Sequence, residues 1–186
     1  MRNLELPGRS VVRSRNGMAA TSSVTATMTA IDILKRGGNA LDAAIAACAV
    51  QCVVEPESTG IGGDNFCLYS TNGAKTPIAF NGSGRAPAAA TAEWYQAQGI
   101  KSIERQTPHS VIIPGVIDAW HQLNKDHGTM ELGELLASAI DFAKNGYAIT
   151  ERVSTDWHSQ FDLLKNDANT RKRFLPDGRA MDPGDV

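Results

Sequence analysis

Two neighbouring segments near the start of the chain carry apolar residues at helical spacing. Within residues 24–36, apolar side chains recur every three or four positions, which predicts an amphipathic helix. Residues 40–53 are rich in alanine and valine, and apolar positions surround almost the whole helical circumference, which predicts a buried helix. Because only a few residues join the two segments, we expect an Ala-rich helical hairpin.

Polar and glycine residues mark the ends of both predicted helices. The hydroxyl residues at positions 21–23 offer N-caps for the first helix, which the Gly-Gly pair at 37–38 ends. Asn39 is the expected N-cap of the second helix, and Asp42 occupies the third helical position, as in a capping box. Glu55-Pro56 stops this helix, because the residue before a proline avoids the helical conformation.

Two short β-prone segments follow, over residues 66–70 and 76–80. Asn72-Gly73 lies between them, and this dipeptide is a strong signal for a tight turn between antiparallel strands. We therefore expect a β-hairpin here, and a further short strand at the apolar triplet 111–113.

The remainder of the chain is predicted to be mainly helical. The expected segments are a helix over about 92–98, a helix over about 116–125, a helix capped by Thr129 and closed by Asn145-Gly146, a helix from Thr150 that carries Val153, Trp157, Phe161 and Leu164, and a polar, turn-rich tail from residue 166. The length of 186 residues fits one domain or one piece of a larger one. Helices together with an antiparallel hairpin predict an α+β class.

Composition and charge narrow the functional classes. The net charge of −2 gives no electrostatic basis for binding nucleic acid or a membrane surface. No window of 18 residues is continuously apolar, and the N-terminus has no apolar h-region, so the expected location is cytoplasmic, with the periplasm open if the natural N-terminus lies further upstream. The three cysteines do not suggest a disulfide framework, and Cys48 and Cys52 are expected to pack on one helix face as small hydrophobes.

Several familiar catalytic and binding patterns are absent. The Gly-rich stretch at residues 60–63 is not a dinucleotide fingerprint and leads into a strand, which favours a structural turn or a loop lining a site over a phosphate cradle. Ser83 lacks the flanking glycines of a serine-hydrolase elbow, since Asn81 and Arg85 hold those positions. The four histidines have no metal-ligand spacing, so a zinc-binding helix is not predicted.

Arg85 is a candidate binding residue on the basis of its local sequence alone. It stands in a loop of glycine, serine and alanine, where a guanidinium can grip a carboxylate in bidentate fashion. The alternative is an ordinary exposed loop arginine, the usual position for this residue type.

Several stretches taken together resemble the γ-glutamyltransferase (γ-glutamyl transpeptidase) family, specifically the start of its large subunit. They are Ala30–Ala44, Val54–Gly63, Ala86–Thr91, Pro114–Val116 and Phe174–Gly178. Their order and spacing extend the resemblance over about residues 17–186, and the first two stretches are long and specific.

This resemblance implies a fold, a maturation step and a chemistry. The fold would be part of the αββα four-layer sandwich of N-terminal-nucleophile (Ntn) hydrolases, with residues 1–186 forming a single partial domain. The precursor would cleave itself, and the new N-terminal threonine of the small subunit would attack a small amide or γ-glutamyl substrate, with its own α-amino group as base. That threonine would lie beyond these residues, so no residue here is expected to be the nucleophile, and no cofactor or metal is implied.

The sequence departs from the family pattern at one functional position. Where transferases of the family carry the arginine that binds the substrate α-carboxylate, this chain has Ser83, and Arg85 follows two residues later. The pattern is similar to relatives of the oxamate amidohydrolase and cephalosporin acylase type, so Ser83 and Arg85 are the candidate substrate-binding residues. A true γ-glutamyl transferase acting on glutathione-type donors and a non-catalytic structural remnant stay open as alternatives.

Overall fold

The structure is a computed structural model that describes residues 11–105 and 107–186. The expected lead-in over residues 1–17 therefore lies outside the described residues as far as residue 10. The described elements are, in chain order, α1 (Val24–Lys35), α2 (Ala40–Val54), β1 (Phe66–Tyr69), β2 (Ile78–Asn81), α3 (Ala92–Ala97), α4 (Val116–His127), α5 (Leu132–Asn145), α6 (Glu151–Ser159), α7 (Phe161–Leu164) and α8 (Ala168–Phe174).

The helical hairpin forms as its end signals predict. The Ser23 side chain caps α1, and the Asn39 side chain accepts the backbone N–H groups of Leu41 and Asp42 at the start of α2. Asp42 in turn accepts the Asn39 N–H at 2.9 Å, which completes the capping box. Gly38 is required for space, because a Cβ there would lie 2.6 Å from Cγ2 of Ile33.

The core is organised around α2, against which α1, α4 and α5 pack. The Ala-rich surface of α2 allows these helices to approach closely, and its buried positions extend around most of its circumference, as its all-round apolar pattern predicts. The largest apolar contributions from the surrounding helices are Ile33, Trp120, Leu123 and Leu135, each at most 3% exposed. Burying these side chains is the main source of stabilisation in this part of the chain.

A buried carboxylate ties α2 to the connection between α4 and α5. Asp42 is fully buried and accepts hydrogen bonds from the Thr129 backbone N–H at 3.1 Å and from the Thr129 hydroxyl at 2.6 Å. The Asn39 side-chain amide donates to the His127 carbonyl at 2.7 Å. The expected role of Thr129 as the cap of the next helix is therefore wrong, since α5 starts at Leu132 after Glu131 and Thr129 serves Asp42 instead.

The two strands pair antiparallel, with Cys67 opposite Phe80 and Leu68 opposite Ala79. Cys67, Tyr69 and Phe80 face the helical core. The opposite face of the hairpin is apolar and open, with Phe66 70% exposed and Leu68 77% exposed. A hairpin with two apolar faces indicates that a second layer belongs on its outer side.

The C-terminal half of the chain differs from the sequence prediction at three elements. The triplet 111–113 is not a strand, because the described part of the chain forms one two-stranded sheet without it. The single helix expected from Thr150 is two helices, α6 and α7, separated at Gln160. The tail expected to be irregular contains α8, whose N-cap Asp167 accepts the N–H of Thr170 at 2.8 Å.

The helices of the described residues include none with the length and apolarity needed to cross a bilayer. Cys48, Cys52 and Cys67 are free thiols, half-buried against the core as predicted for the first two. Burial raises the pKa of each of the three thiols, with the largest neighbouring charge effect on Cys48 coming from Cys52. This favours the protonated form and agrees with a packing role.

Candidate functional site

The loop of residues 82–85 leaves the sheet directly after β2. The Gly82 N–H donates to the Asn65 carbonyl at 2.7 Å, and the Asn65 N–H donates back to the Gly82 carbonyl at 3.4 Å. This pair continues the register of β1 and β2 by one more step beyond Phe66 and Asn81. The first residue of the loop is therefore fixed by the hairpin.

Three backbone segments cross at this loop, and glycine is needed at the crossing for space. A Cβ on Gly84 would lie 1.4 Å from the Ile113 carbonyl oxygen, and a Cβ on Gly82 would lie 2.4 Å from Cβ of Ala119. A Cβ on Gly115 would lie 2.3 Å from the Gly82 carbonyl oxygen. Any side chain at these positions would push the loop away from the start of α4.

Both predicted substrate-binding residues lie on this loop. Ser83 is half-buried, its N–H donates to Oδ1 of Asn81 at 3.0 Å, and its hydroxyl donates to the Gly84 carbonyl at 3.3 Å. The Arg85 backbone carbonyl accepts the Ile113 N–H at 3.0 Å, while its side chain is exposed. Within the described ranges the Arg85 guanidinium has no hydrogen bond or ion pair, so its donors remain available to a ligand.

The Gly-rich stretch before β1 supports the same crossing. Gly63 closes a turn by donating its N–H to the Gly60 carbonyl at 3.2 Å. The Gly63 carbonyl accepts the N–H groups of Gly115 and Val116, both at 3.1 Å. The structural-turn interpretation of the stretch is therefore confirmed, and the first amide of α4, that of Val116, is bonded to a carbonyl rather than left for an anion.

Two residues at the crossing were missed by sequence reasoning. Oδ1 of Asp64 accepts the Gly84 N–H at 3.4 Å, which links the Gly-rich stretch to the loop. Oδ1 of Asn65 is buried without a donor among the described residues. Both follow the glycine run directly, but nothing in their spacing shows that β1 and β2 would bring them beside residues 82–84.

A separate cleft of about 400 Å³ lies between the turn after α2 and helices α6–α8. Pro56, Trp157, Leu164 and Phe174 form apolar walls, and Glu57 contributes a carboxylate. Partial desolvation, followed by the nearby Asp156 and Glu55, raises the pKa of the Glu57 carboxyl. The cleft does not include Ser83 or Arg85, so the structure does not bring these two groups of residues together.

The histidines do not form a metal site in the part of the chain that the structure describes. His109 contacts the rings of Trp94 and Tyr95, and His127 contacts the ring of Tyr69. The described residues contain no group of three or more His, Cys, Asp or Glu side chains that could hold a metal ion.

Comparison with known proteins identifies the family. The sequence profile of the gamma-glutamyltranspeptidase family matches residues 26–186. The chain is 33% identical over 153 residues to the glutathione hydrolase-like YwrD proenzyme of Bacillus subtilis, covering 82% of this chain and 29% of that protein. It is 31% identical over 177 residues to the oxamate amidohydrolase proenzyme of Klebsiella pneumoniae, covering 92% and 33% respectively. The chain thus spans well under half the length of these two curated relatives.

The fold also matches the solved structure of an acylase. The cephalosporin acylase from Bacillus halodurans superposes with a TM-score of 0.82 at 36% identity, covering 98% of this chain and 36% of that one. The match includes the helices and the small antiparallel sheet, and it confirms the partial α+β class. The profile match, the sequence relatives and the shared fold together place this chain in the gamma-glutamyltranspeptidase family.

Proposed function

We propose that this chain is the N-terminal part of the large subunit of an Ntn amidohydrolase that cleaves a small, carboxylate-bearing amide. The observation that carries the proposal is the unpartnered guanidinium of Arg85 on a loop whose backbone is fixed at both ends. A rigid loop that presents a free cation has little conformational freedom to lose when a carboxylate binds. Family membership supports the amide chemistry, and the free cation of Arg85 supports a substrate that bears a carboxylate.

The reaction would proceed through an acyl-enzyme on a threonine that follows these residues in a longer precursor. Self-cleavage would free the α-amino group of that threonine, which would act as base for its own hydroxyl. The attack would expel an amine and leave an ester, which water or an acceptor amine would then cleave. The relatives in Bacillus subtilis and Klebsiella pneumoniae are named as proenzymes, which supports a small subunit made from the same precursor.

The open face of the hairpin supports a second layer supplied by that small subunit. Phe66 and Leu68 on β1 are apolar and mostly exposed, although their strand is only four residues long. A two-stranded sheet of this size is marginal by itself. Additional strands and a second sheet packed on this face would complete the αββα sandwich and remove the apolar surface from water.

The substrate class follows from the position of the charge. Arg85 supplies a planar fork of donors for a carboxylate, while Ser83 can donate one hydrogen bond only. Oxamate carries a carboxylate directly beside its amide, and one relative is named for hydrolysing it. A true γ-glutamyl transferase is the second candidate, in which Arg85 would take over the α-carboxylate contact from position 83.

The test is substitution of Arg85 in the longer precursor that contains this chain. Losing a charge-assisted bidentate contact costs about 2–4 kcal/mol, so Arg85→Ala should lower kcat/KM by roughly 30- to 1000-fold. Self-cleavage should be unaffected, because that step involves no bound carboxylate. Arg171→Ala, which removes an exposed arginine on α8, is the matched control and should stay within about twofold.

Three results would separate the candidates. A loss of less than about twofold for Arg85→Ala, measured with oxamate and with γ-glutamyl-p-nitroanilide, would refute the role of Arg85. Higher γ-glutamyl turnover in Ser83→Arg would show that Arg85 does not already make the α-carboxylate contact, and would count against the transferase. A precursor that never produces a new N-terminal threonine, as measured by mass spectrometry, would favour the non-catalytic remnant.

A further inference from the structure

The loop of residues 82–85 is held almost entirely by backbone contacts. The Gly82 N–H and carbonyl pair with Asn65, and the Arg85 carbonyl accepts the Ile113 N–H. The Ser83 N–H is satisfied by Asn81, the residue just before the loop. None of these contacts depends on a side chain from another segment of the described chain.

Asp64 supplies the side-chain contact that reaches the loop from another segment. Its Oδ1 accepts the Gly84 N–H at 3.4 Å, and Gly84 lies directly between Ser83 and Arg85. Asp64 is exposed and lies one residue beyond Gly63, whose carbonyl binds the start of α4. The carboxylate therefore stands next to a hydrogen-bonded carbonyl and contacts the centre of the loop.

Asp64 does not neutralise the arginine that it adjoins. Within the described ranges, no Asp64 oxygen lies within 4.0 Å of an Arg85 nitrogen in an ion pair, although Asp64 contacts the residue next to Arg85. The acidic side chain thus binds the peptide group and leaves the guanidinium free. This is the arrangement of a positioning residue rather than of a salt-bridge partner.

We propose that Asp64 is a positioning residue that sets the orientation of Arg85 through the Gly84 peptide, an inference that rests on the proposed role of Arg85. Gly82 and Gly84 have no Cβ, so their backbone torsions have a wider intrinsic range than those of other residues, and contacts from neighbouring segments must restrict them. The hydrogen bond from Gly84 to Asp64 fixes the peptide plane between Ser83 and Gly84. Without it, the loop would sample more orientations of Arg85, and a carboxylate would bind at the cost of ordering them.

The experiment is a double-mutant cycle in the longer precursor that contains this chain, with oxamate and γ-glutamyl-p-nitroanilide as probes. Asp64→Ala should raise KM about 3- to 10-fold with kcat within about twofold, which is the size expected for losing one ordinary, solvent-exposed hydrogen bond. Asp64→Asn should stay within about twofold of wild type, because its amide oxygen still accepts the Gly84 N–H. Asp64→Ala should have no further effect when Arg85→Ala is already present.

Two controls keep the test independent of folding and of activity. Asp141→Ala removes an exposed carboxylate on α5 and should leave KM unchanged. Normal self-cleavage shows that each variant folds. Hydrogen exchange of the peptide that covers residues 81–86 should be faster in Asp64→Ala and unchanged in Asp64→Asn.

The outcomes distinguish this inference from the function on which it rests. A large loss for Arg85→Ala with none for Asp64→Ala would overturn the role of Asp64 alone. Equal losses for Asp64→Asn and Asp64→Ala would show that the charge itself acts on the substrate, which also overturns positioning. If Arg85→Ala has no effect, the proposed function fails and the role of Asp64 fails with it.

Discussion

The contact between the buried Asp42 carboxylate and Thr129 at the surface gives the sharpest prediction about stability. Asp42 is fully buried and accepts hydrogen bonds from the Asn39 N–H at 2.9 Å, the Thr129 N–H at 3.1 Å and the Thr129 hydroxyl at 2.6 Å. Asp42→Ala removes the acceptor from all three donors and leaves a small cavity beside α2. We expect a loss in the free energy of unfolding, since all three donors lose a charged acceptor and the exposed Thr129 regains only water as a partner.

The magnitude follows from two opposing effects. Hydrogen bonds to a charged acceptor contribute about 1.5–3 kcal/mol each, so three of them amount to about 4.5–9 kcal/mol. Removing the carboxylate also relieves its desolvation, which offsets several kcal/mol of this loss. The expected net loss for Asp42→Ala is about 3 kcal/mol, a large share of the usual stability of a domain. Thr129→Val loses the hydroxyl donor alone and should cost about 1 kcal/mol.

Urea unfolding followed by far-UV circular dichroism measures both values, on the chain and on the longer precursor. Asp32→Ala is the control, because Asp32 is exposed and its contact with Lys35 is 4.0 Å long, so the variant should stay within about 0.5 kcal/mol of wild type. Thr129→Ser should restore most of the loss seen in Thr129→Val. If Asp42→Ala unfolds within about 0.5 kcal/mol of wild type, the assignment of Asp42 as the link between α2 and the α4–α5 connection is wrong.

Three further results are expected. A purified polypeptide of residues 1–186 should hydrolyse neither γ-glutamyl-p-nitroanilide nor oxamate, because positioning residues cannot replace an attacking group, and turnover that depends on Ser83 would contradict this. The same polypeptide should self-associate and bind a hydrophobic dye through the open face at Phe66 and Leu68. The double variant Phe66→Ser/Leu68→Thr should reduce both the self-association and the dye binding. A monodisperse wild-type monomer with a sharp melt and no dye binding would count against this expectation. Burial raises the pKa of Tyr147 to about 12, so its protonated form favours the folded state, and stability should fall as pH rises from the ordinary tyrosine value of 10 towards 12. Absorbance titration should show one late tyrosine that Tyr147→Phe removes, and an unchanged curve would exclude the shift.

The helical hairpin was predictable because its signals are local. A helix cap acts within three residues, and apolar spacing determines which face of a helix is buried before any partner is known. The Asn39–Asp42 capping box and the bounds of α1 and α2 therefore follow closely from the sequence. The β-hairpin was predictable for the same reason, since Asn72 adopts the positive φ of 51° that asparagine tolerates in a tight turn.

The sequence predictions were wrong where one local pattern is compatible with more than one structure. The triplet 111–113 has strand composition, but its Ile113 N–H pairs with Arg85 outside any strand ladder. Thr129 precedes a helix as a cap would, yet a buried carboxylate 87 residues away takes both its donors. Helix α8 lacks an apolar period, so the sequence marks it mainly by its N-cap at Asp167.

For the candidate site, the sequence alone determined the chemistry of Ser83 and Arg85, because a guanidinium and a hydroxyl have the same donors in any fold. The motifs that flank these residues also indicate the family from the sequence alone. Only the tertiary structure brought Asp64 to the Gly84 amide, since 20 residues and a strand pair separate them. Close backbone crossing at Gly82, Gly84 and Gly115 likewise depends on how β2 meets α4. The chemistry of each side chain is determined by the sequence, whereas contacts between distant segments form only when the core packs.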